Sequence, residues 1–220
     1  MTWTLAIDTA TVVCVGLSNG NDTWRARLDD SRAHAEQLTP LLNQVCAEAG
    51  ITLRELDRIA VGVGPGPFTG LRVGVVTGLT LASLGRVPVT GVSSLDVVAR
   101  QYVTSSEPPT GEFVAALDAR RKELYWSHHR ADGSRSGEPQ VSTYDQLPDL
   151  PVTGPGALVH PGGITVVGPT ALDAGVLARD LDLLPDSGTE PLYLRKPDAE
   201  VPVARKSTVL QPRLGLRRRP

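Results

Sequence analysis

Gly64, Gly66, Gly70, Gly74 and Gly78 punctuate one stretch, residues 62–84 (GVGPGPFTGLRVGVVTGLTLASL), and this stretch restricts the fold most narrowly. Ahead of it, residues 58–63 (RIAVGV) are a short apolar run with β-branched members, ended by glycine and proline, which predicts a buried strand. After Pro67 the period becomes four. Leu71, Val75 and Leu79 recur at that spacing, as do Gly70, Gly74, Gly78 and Ala82, so a helix is expected over 68–84 with Gly85 as its C-cap and Pro88 beyond. Each interior glycine costs a helix roughly 1 kcal/mol relative to alanine, so Gly74 and Gly78 together cost about 2. A ridge of hydrogens at i, i+4 and i+8 offsets that only where another backbone lies close against it. That backbone belongs either to the chain's own sheet or to a helix of a partner.

The opener itself has the glycine spacing of a nucleotide fingerprint, between a strand and a helix. Pro65 and Pro67 argue against that use, because such loops hold phosphate with backbone N–H groups and proline has none. No Gly-Lys-Ser/Thr follows, so this is not a Walker loop.

With 220 residues, 40% hydrophobic and 21% charged, the chain has the material for one large or two small domains around a mostly aliphatic core. The hydropathy pattern predicts neither a membrane span nor a signal peptide, and Cys14 and Cys46, without a CxxC, are expected as buried thiols in a reducing cytoplasm. The net charge of −2 is unevenly placed. Residues 200–220 carry six cations against Glu200, a net +5, which leaves −7 on residues 1–199. An acidic body with a basic tail is a poor free-standing nucleic-acid binder.

In chain order, strands are expected at 3–7, 12–17 and 22–28, a helix at 33–49 capped by Gly50, the strand and glycine-rich helix, a strand at 87–92 and a helix at 94–103. Ser93 and Asp96 have capping-box spacing. Residues 105–111 (SSEPPTG) read as a linker, after which the opening returns: Ala116-Leu117-Asp118 repeats Ala6-Ile7-Asp8 at the head of a second hairpin, with strands at 113–117 and 124–129. Beyond that, a strand at 164–167 and a helix near 170–181 are expected. The division predicted is an N-terminal lobe 1–104, a smaller C-terminal lobe 112–196, and a basic tail 199–220 without periodicity, expected to be disordered in the free chain.

Candidate chemistry is sparse. Asp8 at a strand end, followed by Thr9 and Thr11, has the groups to position a metal–phosphate complex, although Asp and Thr are also ordinary turn formers. Arg120 and Arg121, with Lys122, make a positive turn that is either an anion site or a solvated loop. His34 opens a helix and His160 sits among glycine and proline. His128 and His129 are strand neighbours, so they leave on opposite faces and cannot chelate together. No H-x-x-x-H, H-E-x-x-H, Cys/His cluster or G-x-S-x-G elbow is present.

Five segments taken together, 5–10 (LAIDTA), 33–38 (AHAEQL), 64–72 (GPGPFTGLR), 118–121 (DARR) and 191–195 (PLYLR), resemble the TsaB (YeaZ) family in content and order. The resemblance spans roughly residues 3 to 198. It implies an α/β fold of the actin-like, Hsp70-like ATPase class (the ASKHA fold), built from two duplicated lobes. It also implies a cytoplasmic role in making threonylcarbamoyladenosine beside the tRNA anticodon, as the non-catalytic partner of TsaD. TsaE would join through the TsaB–TsaD pair, tRNA would be met only within the complex, and a homodimer would form where TsaD is absent. TsaD uses a metal held partly by an H-x-E-G-H segment; the corresponding residues 92–98 (VSSLDVV) contain no histidine, so no metal and no cofactor beyond weak ATP or ADP binding is expected. On this reading the partner-binding residues are Gly70, Leu71, Gly74, Val75 and Gly78 with Leu38 and Leu42. Asp8, Thr9, Thr11, Arg120 and Arg121 are left as a weak nucleotide or anion site. The rival reading is a stand-alone ATP-dependent transferase or phosphotransferase of the same fold, working through Asp8 and Thr9.

Overall fold

The structure, a computed structural model, describes residues 1–28, 34–159 and 163–195, with the side chains of 34–36 set aside. His160 and the basic tail 199–220 lie outside the described residues.

Three antiparallel strands open the chain: β1 (Thr4–Asp8), β2 (Val13–Ser18) and β3 (Thr23–Leu28). Helix α1 (His34–Ala49) leads to β4 (Arg58–Gly62), α2 (Phe68–Gly85) to β5 (Val89–Val92), and α3 (Ser94–Val103) closes this half. β4 joins β1 in parallel and β5 joins β4, so the sheet order is β3-β2-β1-β4-β5. The second half repeats the plan: β6 (Phe113–Asp118), β7 (Glu123–His129), β8 (Gln140–Thr143) and β9 (Val152–Thr153) form a sheet ordered β8-β7-β6-β9, again with a parallel last pair. Repetition extends to atomic detail. Asp8 Oδ1 accepts the N–H of Ala10 at 2.8 Å, and Asp118 Oδ1 accepts the N–H of Arg120 at 2.7 Å, the same aspartate turn at the same strand end. This is the duplicated actin-like α/β architecture.

Strand alternation sends Leu5 and Ile7 to one face of the first sheet and Ala6 to the other. The Leu5 face carries α1 and α2, whose Leu38, Leu42, Val45, Val75 and Ala82 complete one core. The Ala6 face carries α3 and α4 (Ala174–Arg179), and Phe113, Ala115 and Leu117 of the second sheet close over the same core. Small residues make that approach: a Cβ at Gly16 would collide with the backbone carbonyl of Ala174. Although α4 falls within 112–196, it lies on the first sheet, with Arg25 of β3 bonded to Asp173 at 2.8 Å.

The local expectations differ from the structure in several places. The left-handed residue that ends α2 is Arg86 (φ 54°), one past Gly85. Ser93 and Asp96 make no capping box; the Ser93 hydroxyl instead donates to Gly64 O, tying α3 to the loop before α2. Residues 164–167 contribute a single bridge, Val152 to Val166, rather than a strand, while β8 went unforeseen because its QVST carries only one strongly apolar residue. Finally, α2 is long and apolar enough to cross a membrane (18 residues), where the hydropathy pattern predicts no span. Its inner face is nonetheless core, with Gly70, Leu71, Gly74, Val75, Gly78 and Ala82 buried.

Candidate functional site

Helix α2 is held by its glycines against the chain's own sheet. A Cβ on Gly74 would strike the Thr9 hydroxyl, and one on Gly78 would strike Cγ1 of Val61. The expected docking face is therefore corrected: Gly70, Leu71, Gly74, Val75 and Gly78 are buried inside the monomer, and so are Leu38 and Leu42 of α1, each 2% exposed. The physical reason is that the helix cost of two glycines is recovered by close packing on β1 and β4, and the ridge has nothing left to offer a partner. What α2 does present outward is a second apolar line, Val76 (58% exposed), Leu79 and Leu84 (79% exposed), with Phe68 at its start. No glycine marks this line, but its i, i+3 and i+8 spacing on a helix apolar nearly all round was the available signal.

The structure also divides the expected nucleotide site. Asp8 is fully buried; its Oδ2 accepts from the Ser94 hydroxyl at 2.7 Å and its Oδ1 from Ala10. Burial raises its pKa to about 6, opposed by those two hydrogen bonds. Thr9 is equally buried, its hydroxyl donating to Gly70 O. Neither side chain faces open space, and Thr11 is half-buried at the turn. Arg120 and Arg121 stand apart from these three. They line a cleft of about 340 Å³ between the loop at Gly66–Phe68 and the β6–β7 turn, together with Asp118, Tyr193 and Arg195.

That turn is under strain. Arg120, Arg121 and Lys122 are all left-handed (φ 59°, 53° and 64°), a conformation that costs a non-glycine residue roughly 1–2 kcal/mol. It is over-determined by Asp118 Oδ1, by the N–H of Glu123 bonded to Arg120 O at 3.0 Å, and by Arg195, whose Nη1 donates to Ala119 O at 2.8 Å while it pairs with Glu123. The aromatic side of the cleft is equally ordered: Phe68 and Tyr193 rings lie 4.9 Å apart and the Arg72 guanidinium sits 3.9 Å over Phe68. So the opener and segment 191–195, far apart in sequence, meet at the mouth of α2. His128 and His129 do part as expected: His128 is half-buried near Glu112, and His129 is fully buried with a pKa lowered by burial to about 4. Both cysteines are buried outside any disulfide, and the Cys14 thiol donates to Leu172 O at 3.4 Å.

Comparison with known proteins bears on this architecture at three levels. The family model described as TsaD, tRNA N6-adenosine threonylcarbamoyltransferase, matches residues 29–160. An uncharacterized protein of Mycobacterium tuberculosis is 37% identical over 204 residues, covering 89% of this chain and 93% of its own. The tRNA threonylcarbamoyladenosine biosynthesis protein TsaB of Escherichia coli is 34% identical over 129 residues, which is 58% of this chain and 55% of that protein. Among solved structures, YeaZ from Pseudomonas aeruginosa superposes with a TM-score of 0.71 at 24% identity, over 88% of this chain and all of that one. By the extent of the family match the chain belongs to the family described as TsaD, tRNA N6-adenosine threonylcarbamoyltransferase; over about half its length it is similar to TsaB, and it has the fold of YeaZ.

Proposed function

We propose that this chain serves the formation of threonylcarbamoyladenosine on tRNA as a non-catalytic subunit that binds TsaD through the outward face of α2. The observation that carries the reading is the exposed line Val76, Leu79 and Leu84 on a helix whose opposite face is locked to the sheet. An apolar stripe on a rigid support is what a helix-to-helix interface requires, because little conformational freedom is lost on docking. The same face would pair two copies of the chain when TsaD is absent, and TsaE would join the TsaB–TsaD pair.

The rival reading, a transferase working through Asp8 and Thr9, requires both groups to meet a nucleotide. Each is sealed under α2 or α3 and already bonded within the protein. Weak nucleotide or anion binding is instead assigned to Arg120 and Arg121 in the cleft. The two readings separate in one assay. ATP turnover and tRNA modification are measured for the chain alone, for TsaD and TsaE without it, and for all three. Activity only in the full mixture, unchanged by Asp8→Asn, supports the subunit reading. Steady turnover by the chain alone that Asp8→Asn abolishes would overturn it.

A further inference from the structure

A second cavity, of about 740 Å³, opens between α3, the loop after β7 and the segment following α4. Its charged lining is Asp96, Arg100, Asp132, Arg135, Glu138 and Asp182, and residues 183–185 (LLP) form an aliphatic wall. Asp96 is the unusual member. It is 3% exposed, and neither carboxylate oxygen has a hydrogen-bond partner among the described residues. Arg135 Nη1 stands 3.6 Å from Oδ2, close enough for attraction and too far for a hydrogen bond.

Apart from the exposed Glu138, the neighbouring acidic groups are committed elsewhere. Asp180 accepts from both Arg100 and Arg179, Asp182 accepts from Arg58, and Asp132 Oδ1 accepts from the backbone and hydroxyl of Ser134. His129, behind the same loop, is uncharged at neutral pH, its ring nitrogens bonded to the Ser127 hydroxyl and Gly133 O. A buried carboxylate without donors is costly, and a ligand that brings donors recovers the difference.

We propose that this cavity binds a primary alkylammonium group, its NH3⁺ donating to Asp96 and its methylene stem lying along residues 183–185. An ammonium suits the site because it is compact and turns three donors toward an acceptor-only group. A metal ion does not, since no three His, Cys, Asp or Glu side chains converge among the described residues. Free diamines and the lysine side chains of a partner protein share this chemistry.

Titration calorimetry on the full chain at pH 8 and low salt tests the proposal with three probes: 1,5-diaminopentane, Nα-acetyl-lysine amide, and tetramethylammonium, which is cationic without donors. One or both amines should bind saturably at one site, at least tenfold more weakly in Asp96→Asn, and tetramethylammonium should not bind. The tighter amine identifies the source, free diamine or peptide lysine. Binding should weaken from pH 8 to pH 5 as Asp96, whose pKa burial lifts to about 6, takes up a proton. Arg135→Met removes the competing cation, tightens amine binding, and keeps the test open should Asp96→Asn fail to fold. Failure of both amines to saturate, equal binding by Asp96→Asn, or weaker binding by Arg135→Met would each overturn the proposal.

Discussion

The Thr9 hydroxyl donates a hydrogen bond of 2.8 Å to the carbonyl oxygen of Gly70, joining the turn after β1 to the first turn of α2. One turn further on, Gly74 lies directly over the same hydroxyl. Position and orientation of α2 are thus set by a side chain that the sequence alone offered as a ligand to phosphate.

Thr9→Val keeps the shape and removes the donor, so it should lower stability by about 1–2 kcal/mol, the usual cost of a lost buried hydrogen bond. Gly74→Ile and Gly78→Ile should be worse, by about 3 kcal/mol, since a branched side chain has to push α2 off β1 and β4. Urea melts of the isolated chain measure all three. A well-folded Gly74→Ile monomer with normal stability would contradict the packing described.

Asp8 predicts a pH dependence of unusual sign. Its folded pKa of about 6 lies above the ordinary aspartate value of 3.8, so between these values the folded protein holds a proton that the unfolded chain releases. The stabilisation is complete below pH 4 and is lost as pH rises through 6, a change of about 3 kcal/mol at 1.36 kcal/mol per unit. Asp8→Asn keeps an acceptor for Ala10 and gives Ser94 a donor. Relative to the parent it should be more stable at pH 7.5 by about 1–3 kcal/mol and nearly equal at pH 4. Comparing the two proteins at each pH cancels Asp180 and Asp182, whose lowered pKa values act in the opposite sense.

Much of the architecture was legible because it rests on period and punctuation. The apolar run at 3–7 ending at Asp8 and the four-residue period after Pro67 each named an element to within a residue or two, and the repeated Ala-x-Asp exposed the duplication. Gly74 shows where that legibility ends. Its spacing demands a close neighbour but is silent on whether Thr9 or a foreign helix supplies it. Asp8 and Thr9 are polar in any reading, and only the fold reveals that Ser94, 86 residues away, closes over the carboxylate. The outward line on α2 was hidden for the opposite reason. Val76 and Leu84 look like core residues until Leu71 and Val75 are seen to fill the core without them.

Gly16 offers a separate check on the α4 contact. The obstacle a Cβ would meet there is the backbone of Ala174, which cannot rotate away as a side chain does. Gly16→Ala should therefore cost about 1–3 kcal/mol, the range for overpacking, and hydrogen exchange should speed up first in Ala174–Arg179. Unchanged protection of those amides would show that α4 does not depend on the approach.

The central claim is that α2 docks TsaD with its outer line. Val76→Glu with Leu79→Glu places two charges on exposed positions, so the isolated chain should keep its melting temperature within a few degrees. Its affinity for TsaD, measured by calorimetry beside the parent chain, should fall at least a hundredfold, since a buried interfacial charge without a partner costs about 3 kcal/mol or more. Parental affinity in this folded double variant would contradict the account.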